Sequence, residues 1–124
     1  MPTPPKILAF DVFGTVVDWH GSIVAELARL YPQIDGDAFA RAWRAGYQPA
    51  MARVRSGELG WTRIDDLHRL ILDGMLADFG LAELPENERR HLNRVWHRLN
   101  PWPDAPEGLA RLKRHCTLTT LSNG

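Results

Sequence analysis

The chain opens polar and proline-rich, turns apolar over Lys6-Ile7-Leu8-Ala9-Phe10, and stops at Asp11 before Val12-Phe13-Gly14-Thr15. A short apolar run punctuated by Gly predicts a strand buried on both faces of a parallel sheet. From Ile23 the period becomes helical, with Ile23, Leu27 and Leu30 aligned and Val24, Ala28 and Tyr31 beside them, until Pro32. Asp35-Gly36-Asp37 offers a cap. Ala38 to about Val54 then predicts one helix, with Trp43, Tyr47, Met51 and Val54 on a stripe, broken by Ser56-Gly57 and Gly60. A third helix starts at Trp61 or Thr62, carries Ile64, Leu67, Ile71, Met75 and Phe79, and closes at Gly80. Pro85 at a first helical position, with Glu86 and Glu88 in the opening turn, starts a fourth whose apolar face is Leu92, Val95, Trp96 and Leu99. Beyond Pro101-Trp102-Pro103, a short helix from Pro106 turns Leu109 and Leu112 inward, and Cys116 to Leu121 predicts a second strand ending in Ser122-Asn123-Gly124.

This order, a strand, four helices, a helix and a strand, predicts an α/β fold. Residues 1–17 and 101–124 would form part of a parallel-sheet core, and residues 18–100 a helical bundle inserted as a cap. Two strands with bare edges make an incomplete sheet, so the chain is expected to be part of a longer protein.

Composition narrows the function. Fifteen basic residues balance fifteen acidic ones, leaving no field to draw nucleic acid or an anionic membrane. The single cysteine, Cys116, rules out an internal disulfide and fits a reducing compartment. The amino terminus lacks the layout of a secretion signal and no run reaches membrane-spanning length, so a cytoplasmic protein is expected.

The chemistry concentrates at strand ends. Open α/β sheets place ligands beyond the carboxyl ends of their strands, where Asp11 stands. Alone, Asp11 also reads as an ordinary turn-forming Asp, and Asp18 as a helix cap or loop carboxylate. The histidines at 20, 68, 91, 97 and 115 include no pair three or four apart, so no metal site is expected. Trp19, Trp43, Trp96 and Trp102 read as packing between cap and core.

Asp11-Val12-Phe13-Gly14-Thr15 after an apolar strand, paired with Leu121-Ser122-Asn123-Gly124 after another, resembles the first two motifs of the haloacid dehalogenase superfamily. The Ser-Asn-Gly form, Trp43-Arg44 and the Asn100-Pro101-Trp102 region point within it to the L-2-haloacid dehalogenases. The resemblance implies a Rossmann-like core with a helical cap, and displacement of halide from carbon 2 of a short L-2-haloalkanoate by the Asp11 carboxylate. Water would then hydrolyse the aspartyl ester. It gives Thr15 a hydrogen bond near the nucleophile, Arg44 the halide and carboxylate cradle, and Ser122 and Asn123 the substrate carboxylate. Val12, Phe13 and Trp61 would line the substrate, with a plain core or staple role for Trp61 as the alternative. No cofactor is implied. The partners are a small 2-haloacid and its halide, with a homodimer allowed and neither nucleic acid nor membrane.

Position 13 departs from the superfamily's phosphatases, which resemblance says carry a second Asp there to protonate a leaving alcohol. Phe13 can do neither half of that proton transfer, and a halide needs no proton. Two alternatives stay open: a Mg²⁺-dependent phosphatase- or phosphonatase-like hydrolase, and a non-catalytic remnant whose helices serve folding or dimerisation. The family's later Lys and acidic motifs have no counterpart in this chain, where no Lys follows Lys113, so the resemblance implies a piece of a longer enzyme that is inactive by itself.

Overall fold

The computed structural model describes residues 2–123. The fold is α/β, in two compact units: one contains the chain through Trp19 and again from Leu99 onward, the other is His20–Arg98.

In the first unit, β1 (Ile7–Phe10) pairs in parallel with β4 (Thr117–Thr120), Phe10 opposite Thr120. Between them in sequence come β2 (Val17–Asp18) and β3 (Asn100–Pro101), an antiparallel pair too short to leave a periodic signal. The helix α6 (Ala105–Lys113) packs on β4.

Burial of β1 on both faces is overturned. Ile7 is 62% exposed and Ala9 is also exposed, whereas Leu8 and Phe10 are half-buried. Phe10 shares a cavity with Leu109 and Leu112 of α6, so one face is covered and nothing among the described residues covers the other. Leu112, expected inward, is 38% exposed although it lines that cavity.

The second unit is helical, with α1 (Trp19–Leu30) running into it from the first. Asp35 caps α2 (Gly36–Ala45) by accepting from the Ala38 N–H at 3.1 Å, as its place in the sequence predicts. The single helix expected over 38–54 is two, α2 and α3 (Tyr47–Arg55), meeting at Gly46. Pro49 explains the break, because it offers no N–H and its ring would collide with the Ala45 carbonyl of a continuous helix. A Cβ on Gly46 would sit 2.4 Å from Ile71 Cγ2, so the elbow lies directly on α4 (Ile64–Met75).

After α4, a 3₁₀ turn (Leu76–Phe79) ends at Gly80 with φ +74, the left-handed cap that Gly accepts without strain. Pro85 sits one place earlier than expected, at the N-cap of α5 (Glu86–Asn93), and a second 3₁₀ turn covers Arg94–His97.

Trp43 is fully buried inside the helical unit, edge-on to Phe39, His68 and Trp96, rather than between cap and core. Its indole N–H donates to the His68 carbonyl at 3.0 Å. Truncating so enclosed an indole costs about 3–5 kcal/mol. Arg69 bridges Asp73 and Glu86 while Arg89 also reaches Asp73, tying α4 to α5. Among the described residues no helix is long and apolar enough to cross a membrane.

Candidate active site

Asp11 is the first residue beyond β1 and is exposed. The Leu121 N–H donates to the Phe10 carbonyl at 2.7 Å, so the pairing runs past β4 and brings Ser122 and Asn123 to the edge where Asp11 stands. Gly124, the last residue of that motif, lies outside the described residues.

The segment after Asp11 folds tightly because one carbonyl collects three donors: the N–H groups of Thr15, Val16 and Val17 all point at Val12 O, at 3.2, 2.9 and 3.2 Å. Gly14 takes φ +91, which a side chain would strain, and its own N–H donates to Val17 O at 2.9 Å. Phe13 is half-buried and bridges to Val17. The turn carries Thr15 back toward the strand end, where its hydroxyl donates to Asp11 Oδ2 at 2.6 Å. That bond fixes one carboxylate oxygen and leaves Oδ1 without a hydrogen-bond partner among the described residues. Thr15 also borders the cavity of about 180 Å³ that Phe10 shares with α6.

Trp102 holds the same turn. Its backbone N–H donates to Val16 O at 3.0 Å and its indole N–H to Gly14 O at 2.9 Å. Sequence reading missed this role, and the prolines on either side of Trp102 were the available hint of a fixed backbone there.

Arg44 and Trp61 belong to the helical unit. Arg44 lies exposed in the last turn of α2, with its guanidinium carbon 4.9 Å from the centre of the Tyr47 ring. Four arginines share this stretch, and their surroundings separate them. Arg41 is tied to Asp37 at 2.9 Å and Arg53 to Glu58 at 3.1 Å, while Arg44 and Arg55 have no carboxylate partner among the described residues. Of these two, Arg44 rests on an aromatic ring.

Trp61 is 86% exposed beside Gly60, which takes φ +68, so a core or staple role for it is overturned. Gly breaks the helical pattern there, and α4 begins only at Ile64.

His68 is a titratable group strongly altered by its surroundings. Burial lowers its pKa to about 4, with Arg44 and His97 adding repulsion and Asp65 opposing them. Its ring stacks on Trp96 at 4.2 Å, and Nδ1 has no hydrogen-bond partner among the described residues. Among those residues no group of three or more His, Cys, Asp or Glu side chains is placed to hold a metal ion.

Solved structures give the arrangement its relatives. The chain is 42% identical to the L-2-haloacid dehalogenase PA0810, with a TM-score of 0.86, over 96% of this chain and 52% of that one. It is 39% identical to the defluorinating L-2-haloacid dehalogenase Rha0230, with a TM-score of 0.88, over 96% and 51%. It is 28% identical to the L-2-haloacid dehalogenase from Xanthobacter autotrophicus with chloropropionic acid covalently bound, with a TM-score of 0.78, over 96% and 46%. This chain therefore spans about half the length of the structures it matches. No protein-family model matches it, and no curated protein does.

Proposed function

The chain belongs to the haloacid dehalogenase superfamily, on the branch of the L-2-haloacid dehalogenases, and from that premise we propose that it carries the nucleophile of a hydrolase acting on short L-2-haloalkanoic acids. The observation that carries this reading is Asp11 at the end of β1, one oxygen held by Thr15 and the other without a hydrogen-bond partner among the described residues.

A carboxylate attacking a saturated carbon must be ionised and aimed. Thr15 supplies the aim, since its hydroxyl occupies Oδ2 and leaves Oδ1 to approach carbon 2 from behind the carbon–halogen bond. The new C–O bond forms as halide leaves with its electron pair, giving an ester between Asp11 and the acid. Arg44, which has no carboxylate partner among the described residues, receives the halide, because a guanidinium offers several N–H donors in one plane. The Ser122 hydroxyl and Asn123 amide donate to the substrate carboxylate, and Val12, Phe13 and Trp61 border the rest of the molecule. Water then attacks the Asp11 carbonyl carbon, releasing the 2-hydroxy acid and restoring the carboxylate.

Phe13 supports carbon rather than phosphorus as the target. Expelling an alkoxide calls for a proton donor near the leaving oxygen, and an aromatic ring supplies none, whereas a halide departs as a weak base. The substrate would be a small 2-haloacid and the second partner its halide.

The test is intact-mass spectrometry of this chain extended to the full length of the structures it matches, after incubation with L-2-chloropropionate, alongside measured chloride release. The expected result is a carboxyethyl adduct on the peptide containing Asp11, with matching chloride, and neither in Asp11→Asn. Chloride released with no adduct, and with heavy oxygen from water entering the product but never Asp11, would falsify the covalent route.

A further inference from the structure

A guanidinium on a flexible stem makes a poor anion cradle unless something limits its rotamers, because each freedom lost on binding weakens the binding. The geometry points to Tyr47 as the positioning residue that holds Arg44 ready. This rests on the reading of Arg44 as the halide cradle.

The Arg44 guanidinium carbon stands over the Tyr47 ring at 4.9 Å from its centre, within reach of the ring's negative face. A ring contact of this kind engages the charge of a guanidinium without placing a carboxylate on its N–H donors. Carboxylate contacts do the opposite: Arg41 and Arg53 spend donors on Asp37 and Glu58. Arg44 is thus restrained without being neutralised.

The ring is itself fixed. Tyr47 is 7% exposed and packs in a cluster with Ala50 and Leu67, flanked by Met51 and Ile71. It begins α3 immediately after Gly46, whose backbone lies so near Ile71 that a Cβ would meet it at 2.4 Å. The seat of the ring, and through it the place of Arg44, is therefore set by the elbow between α2 and α3.

The test uses the 124-residue chain and bromide as the probe. In proton–nitrogen spectra the Arg44 side-chain signals, assigned by their loss in Arg44→Gln, should carry the upfield displacement of protons above an aromatic face. Tyr47→Phe should keep that displacement and the bromide affinity. Tyr47→Met should lose the displacement and weaken bromide binding about three- to fivefold. Pentafluorophenylalanine at position 47 preserves ring shape while reversing its electrostatics, and should weaken binding similarly without disturbing the helices. Arg44 signals unmoved in Tyr47→Met, or bromide affinity unchanged in both the Met and the fluorinated variants, would overturn the proposal. Bromide affinity surviving Arg44→Gln, with the ring displacement intact in the wild type, overturns the cradle role of Arg44 and not its contact with Tyr47.

Discussion

The Trp102 indole N–H donates to the Gly14 carbonyl at 2.9 Å, across 88 residues of sequence. Together with the Trp102 backbone N–H on Val16, it clamps both limbs of the turn that follows Asp11. Trp102→Phe keeps the backbone bond and most of the apolar surface but removes the indole donor. It should lower stability by about 1 kcal/mol, the usual net worth of one hydrogen bond. It should also speed amide exchange at Thr15, Val16 and Val17, which close the turn on Val12. Exchange at those three amides as slow as in the wild type would remove Trp102 from the turn's supports.

Thr15 is expected to act through orientation. Thr15→Val keeps the β-branched shape and loses the hydroxyl on Asp11 Oδ2, so the carboxylate rotates more freely. In the full-length form, the rate of ester formation with L-2-chloropropionate should fall about three- to tenfold, the worth of one modest hydrogen bond. Thr15→Ser should recover most of it. Equal rates in the Val and Ser variants would count against the hydroxyl.

Sequence pattern reached the strand ends better than the surfaces. The apolar run to Phe10, the Asp35 cap and the Gly80 stop are local features, decided by residues within a turn of one another, and they were readable. The exposure of Ile7 was not, because burial of a strand depends on how many neighbours it has rather than on its own composition. The break at Gly46 had a signal, Pro49, that the apolar stripe from Trp43 to Val54 overrode in the reading. The Arg41–Asp37 pair sits at i,i+4 and was readable too, but the position of Arg44 over a ring on the far side of a helix break was not.

Gly46 gives a prediction whose sign reverses. Gly46→Ala alone places a methyl 2.4 Å from Ile71 Cγ2, and a β-branched side chain on a helix has little freedom to yield. The strain should cost about 1–3 kcal/mol and outweigh the gain of up to about 1 kcal/mol from replacing Gly in a helical conformation. In an Ile71→Ala background the obstruction is gone, so Gly46→Ala should become neutral or stabilising. Thermal melts of the four proteins, followed by far-ultraviolet circular dichroism, give the coupling directly. Additive effects would mean that the elbow does not rest on Ile71.

His68 sets the acid limit of the helical unit. Buried against Trp96 and Trp43, it stays neutral down to about pH 4, while in the unfolded chain it takes a proton near 6.5. Above pH 6.5 neither state binds that proton and stability is unaffected. Between 6.5 and about 4 only the unfolded chain binds it, so each falling pH unit favours unfolding, up to a total of about 3 kcal/mol. Asp65 works against this limit, and Arg44 and His97 reinforce it. Glu26 loses its contribution only at lower pH. Burial tends to raise its pKa, Arg29 and Arg98 lower it further, and the net depression is felt as pH falls below the ordinary value of 4.5. The window from 4.5 to 6.5 therefore separates the imidazole from that carboxylate. His68→Phe preserves an aromatic partner for Trp96 and cannot titrate, so urea melts across that window should show a shallower pH slope than the wild type. Equal slopes would mean that the imidazole finds a proton or a partner inside the fold, and that its burial is not what limits the unit in acid.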